Sequence, residues 1–218
     1  MNGSSITRRA ATMLVAVFAI SASARAGLIV TMGDAFIQAG GNSYVDLHVA
    51  SSSGTLPLAN YIFELEITGP GGPGLEFSVP QLDSHLMESD YVFDNDSFAF
   101  NSSSGTSAAS PYSYVGIDLT DSGLDVQLAT SPRLLGRVDL SGLNVLDSMI
   151  GQSFAITFRA DQSMFFDAGF SQLAFDPSSK FVGTVMVTQA VPEPSSLLLC
   201  AAAIGFAGVL RRRKPLPS

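Results

Sequence analysis

Apolar and polar side chains alternate along the middle of the chain. In residues 61–68, Tyr61, Phe63, Leu65 and Ile67 occupy every second position. A period of two places alternate side chains on opposite faces of an extended chain, so this segment predicts a β-strand with one buried face. The same alternation, or a run of β-branched residues, predicts further strands at residues 28–32, 43–49, 75–79, 115–119, 124–128, 134–140, 154–159 and 181–187.

Segments rich in Gly, Pro, Asn and Ser separate these strands, at residues 39–42, 69–74 and 102–105. Roughly nine short strands, each with one buried face, predict an all-β fold, an antiparallel β-sandwich. In residues 115–119 this would bury Val115, Ile117 and Leu119, which alternate with Gly116 and Asp118. Only residues 140–151 suggest a short helix, and the crossover helices that a parallel α/β fold needs are missing.

The charge is unevenly distributed. Eighteen of the 19 acidic residues fall within residues 27–190, with only four basic ones, so the formal charge of that region is 4 − 18 = −14. Such an acidic domain is a poor nucleic-acid binder, because a phosphate partner needs a basic surface. The single Cys excludes an intrachain disulfide and a Cys-rich zinc module.

The first 26 residues have the three parts of a secretory signal peptide. Arg8 and Arg9 form a basic start, residues 10–20 are uncharged and mostly apolar, and small residues follow at Ala24 and Ala26. This order predicts cleavage by signal peptidase between Ala26 and Gly27. The alternative is a buried N-terminal helix, and the two arginines also leave a twin-arginine export route open.

The C-terminus, residues 191–218, has three parts of its own. The stiff segment Val191, Pro192, Glu193 and Pro194 comes first, and residues 195–210 are then uncharged and largely apolar. The basic residues Arg211, Arg212, Arg213 and Lys214 follow as a stop-transfer signal. This order predicts a transmembrane helix that anchors a precursor in the inner membrane, although 16 residues span only about 24 Å. A core helix of a soluble domain is the alternative.

These last 28 residues resemble the PEP-CTERM sorting signal of bacterial surface proteins. The resemblance implies that an exosortase, a membrane protease-transpeptidase, recognises residues 191–194 and processes the tail. It also implies export into the cell envelope, to the cell surface or into an exopolysaccharide matrix. A eukaryotic lipid-anchor signal is the nearest alternative, but it usually ends in its hydrophobic tail.

The order of strands in residues 27–190 also resembles the cohesin-like β-sandwiches of exported bacterial proteins. The segments that carry this resemblance are residues 40–47, 58–65, 134–138 and 154–158. The resemblance implies a fold only, since no dockerin-contact motif can be carried over.

Candidate chemistry is sparse in the exported region. His48 falls on the polar face of a strand and His85 in a loop, both expected to be solvated, and neither accompanies a nucleophile motif. Eighteen acids offer many carboxylate pairs of the kind a glycosidase uses, but their abundance makes any single pair uninformative. We therefore expect a protein without enzymatic activity.

The densest group of hard oxygen ligands is Asp94, Asn95 and Asp96, in an expected turn that suits calcium. Local hydrogen bonding in an Asx-rich turn is the alternative. For a glycan, Tyr44, Tyr91, Tyr112 and Tyr114 could offer aromatic platforms. Tyr112 and Tyr114 share a face if they lie on one strand, which serves equally well as the edge of a core.

These features favour a structural or interaction protein of the bacterial envelope and matrix, with signal peptidase and an exosortase as its processing partners. A module that binds a glycan or another protein is the alternative, and a secreted hydrolase is the third possibility.

Overall fold

The alternating segments form β-strands in the computed structural model, which describes residues 26–69, 74–98, 100–104 and 112–189. The described strands are β1 (Leu28–Met32), β2 (Ala35–Gln38), β3 (Asn42–Ser51), β4 (Leu56–Leu58), β5 (Asn60–Thr68), β6 (Glu76–Phe77), β7 (Asn101–Ser104), β8 (Ser113–Leu119), β9 (Val126–Leu128), β10 (Arg133–Ser141), β11 (Ser153–Phe158), β12 (Met164–Phe166) and β13 (Val182–Thr188). Two 3-10 helices, Ser84–Met87 and Asp147–Met149, complete the described elements.

The strands form two main sheets with a core between them. The first sheet has the order β1-β3-β10-β6, and the second has the order β2-β13-β11-β5-β8-β7, with β12 also paired to β5. A two-stranded ribbon of β4 and β9 lies beside them. The prediction of an all-β, sandwich-like fold is confirmed.

Three details of the prediction are wrong. The described residues contain thirteen strands instead of about nine, because strands of three or four residues are too short to show alternation. The pair β2–β13 is parallel, whereas the other strand pairs are antiparallel. The suggested helix within residues 140–151 is a single 3-10 turn.

Aromatic side chains pack together with aliphatic ones in the core. The inward face of β5 carries Tyr61, Phe63, Leu65 and Ile67, all buried as the alternation predicts. A second aromatic group gathers around Phe158, whose ring stacks on Phe181 with centroids 5.4 Å apart. The core therefore holds together without a disulfide, through buried aromatic and aliphatic side chains.

The strand directions define two ends of the sandwich. β5 and β13 are both antiparallel to β11, so they run in the same direction. We call the end where β13 finishes, at Thr188, the tail pole, because the chain continues from there to residues 190–218. The opposite end, where β5 begins at Asn60, is called the far pole. Gly27 lies at the far pole as well, since Leu28 donates a backbone hydrogen bond to Ala174 beside β12.

Both predicted targeting segments lie almost entirely outside the described residues, which include only Ala26 of the signal peptide and none of residues 191–218. Within the parts of the chain that the structure describes, no helix is long and apolar enough to cross a membrane.

Candidate interaction surface

Strand β8 buries the face opposite to the one that its alternation of apolar and polar residues predicts. Gly116 and Asp118 point into the core, whereas Ile117 and Leu119 are 40% and 41% exposed. The side chain of Phe63 explains part of this inversion, because it occupies the space beside Gly116, where an added Cβ would approach its Cζ to 2.6 Å. The prediction that Ile117 and Leu119 lie in the core is wrong.

The two outward side chains line an apolar groove at the far pole. The groove has a volume of about 450 Å³ and is bounded by the start of β5, the end of β8 and the segment after β12. Its lining residues are Ala59, Asn60, Tyr61, Ile62, Ile117, Asp118, Leu119, Thr120, Gly123, Ala168 and Phe170. An open apolar cleft of this size on an otherwise acidic domain is typical of a binding surface.

Phe170 forms one wall of the groove and is 80% exposed. Its backbone has a left-handed φ of 61°, which is unusual for a residue with a bulky side chain. The surrounding turn holds this conformation, since the Phe170 amide donates to the Asp167 carbonyl and the Ser171 amide to the Asp167 carboxylate. The Ala168 amide also donates to Asp125 Oδ1 at 2.6 Å. The ring is thus presented to solvent by a well-connected turn.

A buried polar network lies behind the groove. Tyr91 donates its hydroxyl proton to Asp118 Oδ2, to which Ser97 Oγ also donates at 2.6 Å. The Tyr61 hydroxyl contacts that of Tyr91 at 2.8 Å. Because Tyr91 has given its only proton to Asp118, Tyr61 is the donor in this contact and shares its proton with the Leu135 carbonyl at 3.0 Å.

This network satisfies the one carboxyl among the residues that line the groove. Asp118 Oδ1 accepts a further hydrogen bond from the Leu119 amide at 2.7 Å, so both oxygens have partners. Burial raises the pKa of Tyr91 well above its ordinary value, which keeps this donor protonated at physiological pH. The residues that line the groove therefore include no pair of carboxylates of the kind a glycosidase uses.

A second exposed cluster lies on the outer face of the first sheet. Arg137 donates to both oxygens of Asp46, at 2.8 and 3.1 Å, and to Glu88 Oε1 at 2.8 Å. Its guanidinium also lies 4.3 Å from the ring centroid of Tyr44. Each of the three guanidinium nitrogens thus donates one hydrogen bond, and the cluster is a structural tie between β3, β10 and the segment after the first 3-10 helix.

The proposed calcium ligands remain on one turn. Asp94 Oδ1 accepts a hydrogen bond from Asn95 Nδ2, and Asp96 accepts two from Ser122, one from its amide and one from its hydroxyl. Among the residues that the structure describes, no group of three or more His, Cys, Asp or Glu side chains is placed to hold a metal ion. Calcium binding at Asp94, Asn95 and Asp96 stays a prediction, which calorimetry with and without a chelator tests.

The two histidines differ in their surroundings. His48 is half-buried on the outer side of β3, whereas His85 is completely buried, so the expectation of a solvated loop histidine is wrong for His85. The imidazole packs edge-on against Tyr91 and Phe100, with centroids 5.1 and 4.4 Å away. Aromatic contact replaces solvent at this position, and the sequence around His85 carries no signal of it.

The tyrosines considered as glycan platforms mostly serve the core. Tyr91 and Tyr114 are buried, while Tyr112 precedes β8 and is partly buried. Tyr44 is half-exposed but already contacts Arg137. The expectation that Tyr114 belongs to the core, and is not a glycan platform, is therefore confirmed.

Comparison with known proteins supports the predicted C-terminal sorting signal and the predicted cohesin-like fold. Residues 190–214 match the PEP-CTERM protein-sorting motif. The chain thus carries the sorting motif of exported, membrane-processed surface proteins. No curated protein matches the chain.

Among solved structures, cohesin domains are similar to this fold. One is the sixth cohesin of scaffoldin B from Acetivibrio cellulolyticus, solved in complex with a mutant Cel5 dockerin, with a TM-score of 0.52 and 11% identity over 74% of this chain and 99% of that one. Another is the seventh ScaB type I cohesin from Pseudobacteroides cellulosolvens, with a TM-score of 0.51 and 10% identity over 77% of this chain and 96% of that one. At such identities the likeness establishes a cohesin-like fold.

Proposed function

We propose that this protein is an exported interaction module of the bacterial surface and its exopolysaccharide matrix. Signal peptidase removes residues 1–26, and an exosortase processes the tail at residues 191–194. The match of residues 190–214 to the sorting motif supports this route. The cohesin-like fold supports a role in protein association in place of catalysis.

The binding site of this module is the apolar groove at the far pole. The observation that carries the assignment is the inversion of β8, which exposes Ile117 and Leu119 while the polar Asp118 is buried. An alternating strand normally buries its apolar face, so exposing it costs solubility unless a partner covers it. Phe170, held over the same groove, adds a third exposed apolar side chain of the type that anchors protein interfaces.

The surroundings of the groove indicate the chemistry of the partner. Asp121, Asp125 and Asp167 lie beside it, whereas no basic residue is among those that line it. A partner with two or three apolar anchors and a basic rim is complementary to this surface. The cohesin from Acetivibrio cellulolyticus was solved with a dockerin, a protein partner, which supports a protein ligand here as well.

Matched pairs of exposed apolar residues test this site. Val182 and Met186 lie on the outer face of the same sheet with 45% and 41% exposure, close to those of Ile117 and Leu119, but away from the groove. We expect immobilised wild-type protein and immobilised V182S/M186S to retain a protein from the exported fraction. Immobilised I117S/L119S should not retain it. Loss of two anchors of about 1 kcal/mol each corresponds to roughly 30-fold weaker binding in titration calorimetry.

Equal retention by both double variants would contradict the assignment of the groove. A glycan array run with the same three proteins distinguishes the ligand class: a glycan that binds the wild type but not I117S/L119S would favour the glycan-binding alternative over a protein partner.

The processing route has its own test. We expect intact-mass analysis of the exported protein to show a product that begins at Gly27 and lacks Arg211–Arg213. Replacing Pro192 and Pro194 with Ala should leave the full tail attached, and replacing Pro215 and Pro217 provides the control. A mature wild-type product that keeps residues 211–218 would contradict processing.

A further inference from the structure

The first residue after the predicted signal-peptide cleavage site is held by specific contacts. The Gly27 nitrogen donates to Ser52 Oγ at 2.8 Å, and the Gly27 carbonyl accepts from the Ser52 amide at 2.8 Å. Both contacts fix residue 27 against the segment that follows β3, before β1 begins at Leu28. Residue 27, which becomes the N-terminus after the predicted cleavage, is thus held within the sandwich.

A carboxylate faces the same residue. The ideal Cβ position of Gly27 lies 3.2 Å from Asp176 Oδ2 and 3.1 Å from Asp176 Cβ, so a side chain here would press on Asp176. Asp176 is itself held beside β1, because its amide donates to the Leu28 carbonyl at 2.8 Å. The nitrogen and the ideal Cβ of residue 27 are both bonded to its Cα and lie about 2.5 Å apart, so this carboxylate is within roughly 6 Å of the Gly27 nitrogen.

We propose that Ser52 and Asp176 form a docking site for the α-ammonium group that signal peptidase creates at Gly27. Cleavage between Ala26 and Gly27 breaks the amide bond by addition of water. The new amino group is protonated at neutral pH, because an α-amine has a pKa of about 7.7–8.0. Its additional N–H donors and its positive charge then face Asp176, while the hydrogen bond to Ser52 Oγ is kept.

The environment of Asp176 suits this role. Hydrogen bonds from the Ser178 side chain and amide, and to a lesser extent from Ser52, lower the pKa of Asp176 and keep it ionised. In a region with a formal charge of −14, the new ammonium also adds a cation at a place where acids predominate. Maturation thereby stabilises the start of β1 at the far pole, the end of the sandwich that also carries the proposed binding groove.

This inference rests on cleavage at Ala26–Gly27 and is independent of what the groove binds. The test compares chains 27–218 and 26–218 in detergent, each released from a fusion so that no other residue remains. The longer chain keeps the ammonium charge but moves it by one residue and restores an amide at Gly27. We expect the chain that begins at Gly27 to have the higher Tm, by about 1–3 °C at low salt.

Asp176→Asn separates the ammonium contact from other effects of Ala26, since the amide keeps the acceptor for Ser178 while removing the charge. In this background the two chains should have equal Tm values, whereas Asp147→Asn at the tail pole should preserve their difference. A Tm difference that survives Asp176→Asn, or no difference in the wild type, overturns the proposal. So does a natural N-terminus other than Gly27 in the intact mass.

Discussion

His85 lies in the core with neither ring nitrogen hydrogen-bonded, a placement that favours the neutral imidazole. Desolvation, with the nearby charge of Arg137 as a second cause and Asp46 opposing, lowers the pKa of His85 to about 4. In the unfolded chain the pKa returns to about 6.5, so the unfolded state binds more protons between these two values. Stability is therefore lost as the pH falls from 6.5 to 4.

We expect His85→Leu to remove this acid sensitivity. Urea unfolding at pH 7 and pH 4 should show the wild type losing about 3 kcal/mol more of its free energy of unfolding than the variant. This is the difference expected for a pKa of about 4 in the folded state and about 6.5 in the unfolded chain. Carboxylates titrate in both proteins and cancel in the comparison. His48→Leu is the matched control for loss of an imidazole, because it leaves the buried one in place. Identical pH profiles for wild type and His85→Leu would refute the role of His85.

Tyr91 is the residue on which the buried network behind the groove depends. Tyr91→Phe removes a donor to Asp118 and the acceptor for Tyr61, and leaves a buried carboxylate with fewer partners. We expect a loss of about 1–3 kcal/mol in the free energy of unfolding. Tyr61→Phe should cost less, because it takes no hydrogen bond from Asp118. Chemical denaturation of both variants measures the difference, and a larger loss for Tyr61→Phe would contradict this order of donors.

At the scale of elements, the longer strands could be predicted from the sequence and the inversion of β8 could not. In β5 the alternation predicts the buried face correctly, because every inward position carries a large apolar side chain. In β8 the apolar positions point outward, because the inward space beside Gly116 is filled by Phe63 and Asp118 finds its donors in distant segments. Alternation identifies a strand by its period, whereas the face that becomes buried depends on partners far along the chain.

The same reasoning explains why the sequence predicts the C-terminal sorting motif and does not predict the groove. The sorting motif consists of consecutive residues, so it can be recognised from the sequence alone. The groove combines β5, β8 and the turn at Phe170, whose neighbourhood arises only on folding. Short strands such as β4 and β12 escape prediction for a related reason, since three residues define no period.

The position of Gly116 gives a direct test of the facing of β8. An added Cβ would lie 2.6 Å from Phe63 Cζ, so this buried ring would have to shift within a packed core. We expect Gly116→Ala to lower the free energy of unfolding by about 1–3 kcal/mol, as overpacking of a core does. Gly136→Ala is the control, because its Cβ would lie at an ordinary 3.5 Å from the same ring. If β8 faced the other way, Gly116→Ala would be nearly neutral.

At the scale of the whole molecule, the positions of the two poles predict how a precursor anchored through its tail would be oriented. The sorting tail follows β13 and leaves at the tail pole, whereas the groove lies at the far pole. β5, with nine residues, connects the two poles and spans about 27 Å, at about 3.4 Å for each step between neighbouring residues of an antiparallel strand. A precursor anchored through its tail should thus hold the groove away from the membrane.

Cysteine labelling tests this orientation on precursors with Pro192 and Pro194 replaced by Ala, so that the tail is retained. In a Cys200→Ser background, Leu124→Cys marks the far pole and Leu146→Cys the tail pole, both at well-exposed positions. Small maleimides should label both at similar rates, because both side chains reach solvent. A bulky polymer-linked maleimide applied to spheroplasts should label Leu124→Cys several-fold faster, since the bilayer hinders approach to the tail pole. Equal rates with the bulky reagent, or faster labelling of Leu146→Cys, would show that the groove does not point away from the membrane.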